Sequence, residues 1–377
     1  EQGRGEGSGF RFKLDQDDFS LPYISFYFTS TNQPDGGLPM IRKTIASAAL
    51  AASMLASGFA HADVEFKPLE KDPETIVFGF ISTESSANLK AQWQPMIDDM
   101  EEALGKKVEA FFAPDYAGII EGMRFGKVHV GWFGNKSAME AVDRAGGEVF
   151  VQTSKSDGTN GYYSHIITQA DNDKLNTLAD MLKCDGSLNF GIGDPNSTSG
   201  FLVPTYYVFA QNGVDPKNCF KTVRNANHET NLMATANNQV DVAANNSEQL
   251  ARTQMVKPEI TDKVKVIWTS PLIPSDPMVY RKDMSRELKS EIKAFFLGYG
   301  RLGDVEEANK VLGGIQDGMG KFMESSNAQL YPIRQLELYK DKLKIENTAE
   351  LSADEKAKRV SEIDKQLAEL DILVSYE

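Results

Sequence analysis

The chain is poor in the residues that metal and redox chemistry use. Its 377 residues include only two cysteines and four histidines. The two cysteines form neither a metal motif nor a redox motif. Beyond residue 62 the histidines are His129, His165 and His228, and none of them opens a motif with metal-site spacing. The sequence therefore argues against a metalloenzyme and a redox protein, and we expect no metal and no cofactor.

Basic residues are also in the minority. The chain has 40 Lys and Arg against 54 Asp and Glu, which gives a formal net charge of −14. Such acidity disfavours binding to nucleic acid or to an anionic membrane surface. Beyond residue 62, no stretch is apolar enough to span a bilayer. We expect a protein without a membrane anchor and without a nucleic acid partner.

Residues 40–62 have the pattern of a secretory signal peptide. The basic stretch MIRK is followed by an Ala-rich apolar run, and the run ends in AHA, a small-x-small cleavage site. We predict cleavage after Ala62 and export of the remainder to the periplasm. Residues 1–39 precede this signal and do not begin with Met, so we interpret them as a non-native upstream extension or as a disordered one.

From residue 75 onward, short apolar strands alternate with helical segments, which is typical of an α/β fold. The first unit has the strands TIVFGFIS, VEAFFAP and VHVGWFG, and its second helix begins after Asp115, a typical N-cap residue. The second unit has the strands YYSHIITQ, LNFGIGD, FKTVRNA, VDVAANN and VKVIWTS. The strand MVYRKD and the helix SRELKSEIKAFFLGYG follow. The pattern predicts two α/β units joined by extended crossings near 155–162 and 268–277.

The two cysteines and the C-terminal segment leave alternatives open. Cys184 and Cys219 lie in the same predicted unit, so an oxidising compartment permits a disulfide between them without requiring one. In the last 26 residues, Ser352 and Glu355 form a capping-box pattern, and apolar residues recur at three-four spacing. We predict a C-terminal helix that either packs on its own domain or serves as a dimerisation arm.

The stretch GDPNSTSG (193–200) stands between the strand LNF and the helix FLVPTYYVFA. It has three consecutive hydroxyl residues but no Lys or Arg. It completes no dinucleotide fingerprint, since Asn196 stands where the third glycine should be, and without Lys it is no Walker A loop. A helix N-terminus can nevertheless hold an anion through its unpaired N–H groups. The turn is therefore either an anion site or an ordinary helix start capped by Asn196 or Ser197.

Three other side chains stand at equivalent places, each near the start of a helix that follows a strand. They are Tyr116, His228 and Glu248. Ligands of α/β sheets gather at the carboxyl ends of the strands, so these side chains and the turn are predicted to line one cleft. Taken singly, each also has a structural role as a packed aromatic, a turn residue or a partner of the helix dipole.

Several long segments carry a resemblance to a known family. They are FGFISTESSANLKAQWQPMIDDME, FFAPDYAGIIEGMRFGKV, SAMEAVDRA, GDPNSTSGFLVPTYYVFA, HETN, VDVAANNSE, VIWTSPLIPSDP and PIRQLELYK. Over residues 75–340, the chain resembles the periplasmic phosphonate-binding proteins of phosphonate ABC transporters. It departs from that pattern around 183–188 and in VGWFGN, where Phe133 could alter the pocket wall.

The resemblance implies the type II solute-binding fold, in which two doubly wound α/β domains are joined by two crossing strands and close on a ligand. Domain 1 is expected to be discontinuous, with residues 63–159 and 270–345, and domain 2 to comprise residues 160–269. A C-terminal helical extension, residues 346–377, completes the expected architecture.

The resemblance also implies a set of ligand-binding residues. The phosphonate oxygens are expected at Ser197, Thr198, Ser199 and His228, and Tyr162 is expected to belong to the same pocket. The amino group of the ligand is expected to meet the acidic and aromatic groups of Glu248, Asp276 and Tyr116. The expected ligand is a zwitterion.

The implied function is capture of a phosphonate, most directly 2-aminoethylphosphonate, and its delivery to an inner-membrane ABC permease with its ATPase. A binding protein for phosphate or phosphite is the first alternative, and the two carboxylates tell against it. A secreted hydrolase of phosphonate or phosphate esters is the second. It would require a metal cluster or an activated nucleophile, and the sequence offers only His228 as a base for Ser197 or Thr198.

Overall fold

The computed structural model describes residues 66–316 and 318–375. The predicted signal peptide, 40–62, and the upstream stretch, 1–39, lie outside these residues. The described chain forms two α/β lobes, each built around its own sheet. The fold class predicted from the sequence is confirmed.

The first lobe is built on a six-stranded sheet with the order β13-β4-β12-β3-β1-β2. Strands β1 to β3 are parallel, whereas β12 runs antiparallel to its neighbours β3 and β4. The strands are β1 (Thr75–Phe80), β2 (Lys107–Phe112), β3 (Val130–Trp132), β4 (Gly147–Gln152), β12 (Pro277–Arg281) and β13 (Met323–Glu324). The helices are α1 (Ser86–Leu104), α2 (Tyr116–Arg124), α3 (Asn135–Arg144), α9 (Arg286–Gly298) and α10 (Val305–Ile315), with a 3₁₀ turn at Asn327–Leu330.

The second lobe is built on a five-stranded sheet with the order β10-β6-β9-β7-β8. Strands β7 to β9 are parallel, and β6 is antiparallel to both of its neighbours. The strands are β6 (Ser164–Gln169), β7 (Asn189–Ile192), β8 (Thr222–Asn225), β9 (Val242–Asn246) and β10 (Val264–Thr269). The helices are α4 (Leu178–Met181), α5 (Pro216–Cys219), α6 (His228–Ala236), α7 (Ser247–Val256) and α8 (Pro258–Thr261). Two π-helical segments, Thr198–Leu202 and Thr205–Phe209, and a 3₁₀ turn, Ala210–Asn212, follow β7.

The two crossings pair with each other between the lobes. Strands β5 (Gly161–Tyr162) and β11 (Ile273–Pro274) form a separate two-stranded antiparallel sheet. Residue Gly161 packs so closely on β11 that a Cβ there would lie 2.4 Å from the Ile273 carbonyl oxygen. The crossings predicted near 155–162 and 268–277 thus contain this hinge-like sheet.

Local sequence signals explain where the helices begin and end. Helix α1 begins after Ser85, whose Oγ accepts from the Asn88 N–H, and ends at Gly105 in the left-handed conformation, φ 58°. Its buried side chains recur at helical spacing: Leu89, Trp93, Met96, Ile97 and Met100. They pack on the aromatic side chains of β1, with the Trp93 ring 5.0 Å from that of Phe80. Asp115 caps α2, as predicted, by accepting from the Gly118 N–H at 2.8 Å.

Sequence patterns missed two segments and misplaced the start of a third. Helix α3 and strand β4 were not assigned, although both are well formed and mostly buried. The helix predicted to begin at Phe201 begins at Thr198, and its first turns are π-helical. The helix therefore starts within the hydroxyl-rich stretch. Its first turns are π-helical, and such turns are frequent at functional sites.

Cys184 and Cys219 form a disulfide in the second lobe. It ties α5 to the loop before β7, and Cys219 is part of the buried core of that lobe. The alternative that the sequence left open is thereby decided in favour of the bridge.

The predicted C-terminal extension, 346–377, contains helix α12 (Ala353–Val374), which packs on the preceding helix α11 (Tyr331–Asn347). Ile363 and Leu367 of α12 are buried, so the apolar seam packs on the chain itself. The predicted capping box is only half formed. Ser352 accepts from the Glu355 N–H, but the Glu355 carboxylate pairs with Arg359, one turn along the helix.

Candidate functional site

The hydroxyl turn, which comprises Ser197, Thr198 and Ser199, is the buried start of a helix. Each of the three residues is only 2% exposed. Ser197 is the cap, and its Oγ accepts from the Gly200 N–H at 3.0 Å. A side chain at Gly200 would lie 3.0 Å from the His228 ring, so glycine permits the close approach. The turn therefore offers neutral donors in a dry environment, at the positive end of a helix.

His228 lies against this turn and is neutral. Its Nε2 is 3.4 Å from the Oγ atoms of both Ser197 and Ser199, and 3.2 Å from Asn246 Nδ2. Burial, assisted by the positive charge of Arg252, lowers the pKa of His228 to about 3. At neutral pH the ring therefore carries one proton.

Asn246 determines which nitrogen of His228 carries that proton. Its Oδ1 caps α7 by accepting from the Gln249 N–H at 2.7 Å, which turns its amide NH₂ toward His228 and Ser199. The NH₂ group can only donate, so Nε2 of His228 acts as the acceptor and the proton is on Nδ1. His228 Nδ1 is buried and has no hydrogen-bond partner. The site therefore contains one unused N–H donor.

The two lobes meet at Thr198. Its Oγ1 accepts from the backbone N–H of Lys136 at 2.8 Å, in the first turn of α3. Gly134, the N-cap residue of α3, offers no side-chain cap. Two helix N-termini, one from each lobe, are thus held next to the same hydroxyl group, where their partial charges favour an anion.

The acidic end of the site, defined by Glu248 and Asp276, lies close to the hydroxyl turn. A Cβ on Gly134 would be 3.2 Å from Thr198 Oγ1 and 3.8 Å from Asp276 Oδ1. The space beside Gly134 therefore lies between a hydroxyl of the turn and a carboxylate oxygen. The distance between these two groups is no more than the length of a small molecule.

Asp276 is the most perturbed acid of the site. Its Oδ1 is buried without a hydrogen-bond partner. Burial, and then the negative charge of Glu248, raise the pKa of Asp276 to about 7, although Tyr162, Arg252 and Trp132 favour its charged form. A cation placed here would be met by a carboxylate that otherwise prefers to hold a proton.

Two buried tyrosines connect the ends of the site. Burial and the charge of Asp276 raise the pKa of Tyr162 well above its usual value. Burial and the charge of Asp194 raise the pKa of Tyr116, which a hydrogen bond with Ser197 opposes. Both tyrosines therefore remain neutral and present aromatic faces and hydroxyl groups.

Glu248 differs from its sequence-based description because it already has a cationic partner. Lys155 Nζ lies 2.8 Å from Glu248 Oε1, and the two side chains are 23% and 13% exposed. Sequence reasoning did not select Lys155, which belongs to the turn-rich loop between β4 and β5. From the sequence, two carboxylates tell against a ligand without an amine, because such a ligand would leave them without a cation. Since Lys155 pairs with Glu248, this reasoning now applies to Asp276 alone.

A small cavity lies among these groups. It has a volume of about 10 Å³, which is close to the space of one water molecule. Its lining residues are Thr153, Ser154, Lys155, Tyr162, Glu248, Ser275, Asp276 and Gln316. The cavity is polar and can hold a group of ammonium size.

Direct contacts across the cleft show that the lobes are closed on the site. Glu84 after β1 and Arg252 on α7 form a buried ion pair, with Arg252 Nε 2.5 Å from Glu84 Oε1. Glu229 on α6 accepts from the Ser85 N–H at 2.8 Å. The sequence did not predict these two contacts, because the order of charged residues along the chain does not indicate which segments of the two lobes face each other.

All eight side chains selected from the sequence border the cleft between the lobes. The hydroxyl turn and His228 form one cluster, and Glu248, Asp276 and Tyr162 form a second around the small cavity. Tyr116 lies between them, since it is hydrogen-bonded to Ser197 and is close to Asp276. Asn246 is an unpredicted member, and its position as a helix N-cap two residues before Glu248 was the available signal.

Comparisons with known proteins agree with this geometry. A family model described as ABC transporter, phosphonate, periplasmic substrate-binding protein matches residues 78–330. The chain belongs to that family. Members of this family are substrate-binding components of transporters and not enzymes.

Among curated relatives of this family member, the phosphonates-binding periplasmic protein of Escherichia coli strain K12 is 51% identical over 304 residues, covering 81% of this chain and 88% of the relative. The phosphate-import protein PhnD of Mycolicibacterium smegmatis is 30% identical over 262 residues, with 67% and 80% covered. A solved binding protein component of an ABC phosphonate transporter from Pseudomonas aeruginosa is similar in structure, with a TM-score of 0.77 and 51% identity, covering 81% of this chain and 99% of that one.

Across the described ranges, no helix has the length and apolar character needed to cross a bilayer. Within residues 66–316 and 318–375, no group of three or more His, Cys, Asp or Glu side chains is arranged to hold a metal ion.

Proposed function

We propose that the protein captures phosphonates in the cleft between its lobes, with 2-aminoethylphosphonate as the preferred ligand. The observation that carries the proposal is the two-ended closed site. Neutral hydroxyl and N–H donors form one end, and Asp276, a buried carboxylate with an unpartnered oxygen, belongs to the other. A zwitterion of small size matches both ends at once.

Each end has a distinct role in this proposal. The phosphonate oxygens accept from the hydroxyl turn, the starts of two helices and the unused Nδ1–H of His228. The ammonium group enters the small cavity beside Asp276, Tyr162 and Glu248. Burying a charge without its partner costs roughly 2–5 kcal/mol, and about 1.4 kcal/mol is a factor of ten in affinity. We therefore expect 2-aminoethylphosphonate to bind at least about tenfold more tightly than ethylphosphonate at pH 8.

Isothermal titration of the purified protein with 2-aminoethylphosphonate, ethylphosphonate and phosphate tests this preference. Asp276→Asn should remove most of the advantage of the amino ligand and leave ethylphosphonate binding intact, because the amide needs no cation. Ser285→Ala, which removes the cap of α9 in the first lobe, is a matched control for loss of a local polar group. Equal affinity of the wild-type protein for all three ligands would refute the zwitterion preference.

A second candidate ligand is an oxyanion without an amine, such as phosphate or phosphite. Two observations favour it: Lys155 already neutralises Glu248, and the pKa of Asp276 near 7 lets that carboxyl group hold a proton. The name of the M. smegmatis relative is consistent with such a ligand. In the titration, this candidate predicts that phosphate binds as tightly as either phosphonate.

We further propose that the loaded protein delivers its ligand to an inner-membrane permease driven by an ATPase. Opening and closing would be hinge bending at β5 and β11, between a domain of residues 63–159 and 270–345 and a domain of residues 160–269. Small-angle X-ray scattering should show a decrease in radius of gyration on ligand binding. Reconstituted permease that transports the ligand without this protein would contradict the delivery role.

Export and dimerisation are two further parts of the proposal. Periplasmic export would remove residues 40–62, so mass spectrometry of the periplasmic protein should find Asp63 at its N-terminus. At the end of α12, the exposed apolar residues Ile372, Leu373 and Val374 would form a homodimer contact. Sedimentation should then give a dimer that Ile372→Glu dissociates, and a concentration-independent monomer would contradict it.

A further inference from the structure

Lys155 places an ammonium group at the acidic end of the site. Its Nζ lies 2.8 Å from Glu248 Oε1, and both residues line the same small cavity as Asp276. The backbone of Lys155 is held in place, since its N–H donates to the Thr159 carbonyl at 3.0 Å and its carbonyl accepts from Gly158 at 3.1 Å. The backbone that carries the ammonium group thus belongs to a structured loop.

The Lys155 side chain also has freedom to leave the cavity. It is 23% exposed, whereas Glu248 is 13% exposed and belongs to the first turn of α7. Lysine has a long stem with four methylene groups, which allows its charge to move to water while Glu248 stays in place. The ion pair can therefore exchange partners without movement of the backbone.

The charged end of the Lys155 side chain is chemically the same as the amino end of the ligand proposed above. A lysine side chain and an aminoalkyl phosphonate both end in an ammonium group on a methylene carbon. With Lys155 in place, the cavity has space left for about one water-sized group, so a ligand ammonium that enters it would lie next to the Lys155 ammonium. Two positive charges at such close range repel each other. The two cations therefore compete for the same carboxylate.

We infer that Lys155 is an internal substitute for the ammonium group of the ligand and thereby sets the specificity of the site. With an amine-free phosphonate, Lys155 stays on Glu248, and the Glu248 carboxylate is not left unpaired in the closed cleft. With an aminophosphonate, the ligand ammonium takes over Glu248 and Lys155 turns to solvent. This inference rests on the proposed function, and it predicts that the wild-type protein accepts both ligand classes.

Lys155→Met tests the inference, because it keeps a long apolar stem and removes the charge. Ethylphosphonate should then bind roughly 10- to 100-fold more weakly, since Glu248 would be closed in without a partner. The affinity for 2-aminoethylphosphonate should stay the same or increase. If ethylphosphonate does not bind to the wild-type protein, phosphate serves as the amine-free probe.

A double variant and a matched control make the test specific. Lys155→Met combined with Glu248→Gln should restore binding of the amine-free probe, since no charge remains to be paired. Lys321→Met removes a positive charge from the neighbouring segment, whose carbonyl accepts from Ser154 Oγ, and should not change the ratio of the two affinities. Circular dichroism melting checks that each variant folds.

The outcomes separate this inference from the proposed function. An equal loss of both ligands in Lys155→Met, or no recovery in the double variant, means that Lys155 only maintains the loop. Equal wild-type affinities for the amino and alkyl ligands would contradict the proposed preference for 2-aminoethylphosphonate. Weaker binding of the amine-free probe in Lys155→Met and its recovery in the double variant would still support the role inferred for Lys155. If neither phosphonate nor phosphate binds, both proposals are overturned.

Discussion

The preference for an aminophosphonate should depend on pH through Asp276. The buried carboxyl group of Asp276 has a pKa of about 7, and an alkylphosphonate brings no cation that would lower it. In a complex with 2-aminoethylphosphonate, the ammonium group favours the carboxylate and lowers that pKa. The amino ligand therefore gains relative to the alkyl ligand as the pH rises through 7.

The size of the effect follows from the pKa. At pH 5 the alkyl complex is stabilised by a proton on Asp276, and at pH 8 it is not. If the amino complex keeps the carboxylate ionised throughout, the ratio of the two affinities should rise roughly 90-fold from pH 5 to pH 8. This change corresponds to about 2.7 kcal/mol, at about 1.36 kcal/mol for each factor of ten in the ratio.

Isothermal titration at intervals between pH 5 and pH 8 measures the ratio. The two ligands differ in their own phosphonate titration, and the Asp276→Asn variant serves as the control because it keeps that difference and removes the carboxyl group. Dividing the wild-type ratio by the variant ratio leaves the contribution of Asp276. A quotient that stays constant over the whole range would refute the reasoning, because Asp276 would then be either normally ionised or remote from the amine.

Three further predictions concern space, closure and stability. Gly134→Ala should lower the affinity for all ligands at least about tenfold, because its methyl group would enter the space between the hydroxyl turn and the acidic end. Titration with one amino and one alkyl ligand checks this, and a lower affinity for only one of them would contradict it. Glu84→Gln should increase the dissociation rate of every ligand by roughly tenfold or more in stopped-flow measurements, because it leaves the Arg252 charge unpaired in the closed state. An unchanged rate would show that this ion pair does not hold the lobes closed. Replacing both Cys184 and Cys219 by serine should lower the free energy of unfolding by about 4 kcal/mol for a loop of 35 residues; urea denaturation measures this, and an unchanged midpoint would refute it.

The sequence predicted the parts of the site that depend on neighbouring residues. A strand followed by a hydroxyl-rich helix start is readable at Ser197, and an Asp cap is readable at Asp115, because each contact spans only three residues. Alternation of apolar strands and helices predicted the α/β lobes and both crossings. Position after a strand selected six of the eight side chains, and the resemblance to the family added Tyr162 and Asp276.

Other parts of the site had no local signal. The pairing of Lys155 with Glu248 joins a loop of one lobe to a helix of the other, and neither segment indicates the partner. Likewise, the proton on His228 Nδ1 is determined by the orientation of the Asn246 amide, which follows from the cap of α7. These are contacts between groups that the chain brings together only on folding.

The amino-acid sequence by itself therefore determined the strands, the helix starts, the hydroxyl turn and the family of this protein. Hydrogen bonds over three or four residues and the burial of one face of each element are sufficient for that. Tertiary structure alone decided the charge state of the site. The pKa of Asp276, the neutrality of His228 and the counterion of Glu248 all depend on how much water is excluded and which charges come together, and closure of the two lobes determines both.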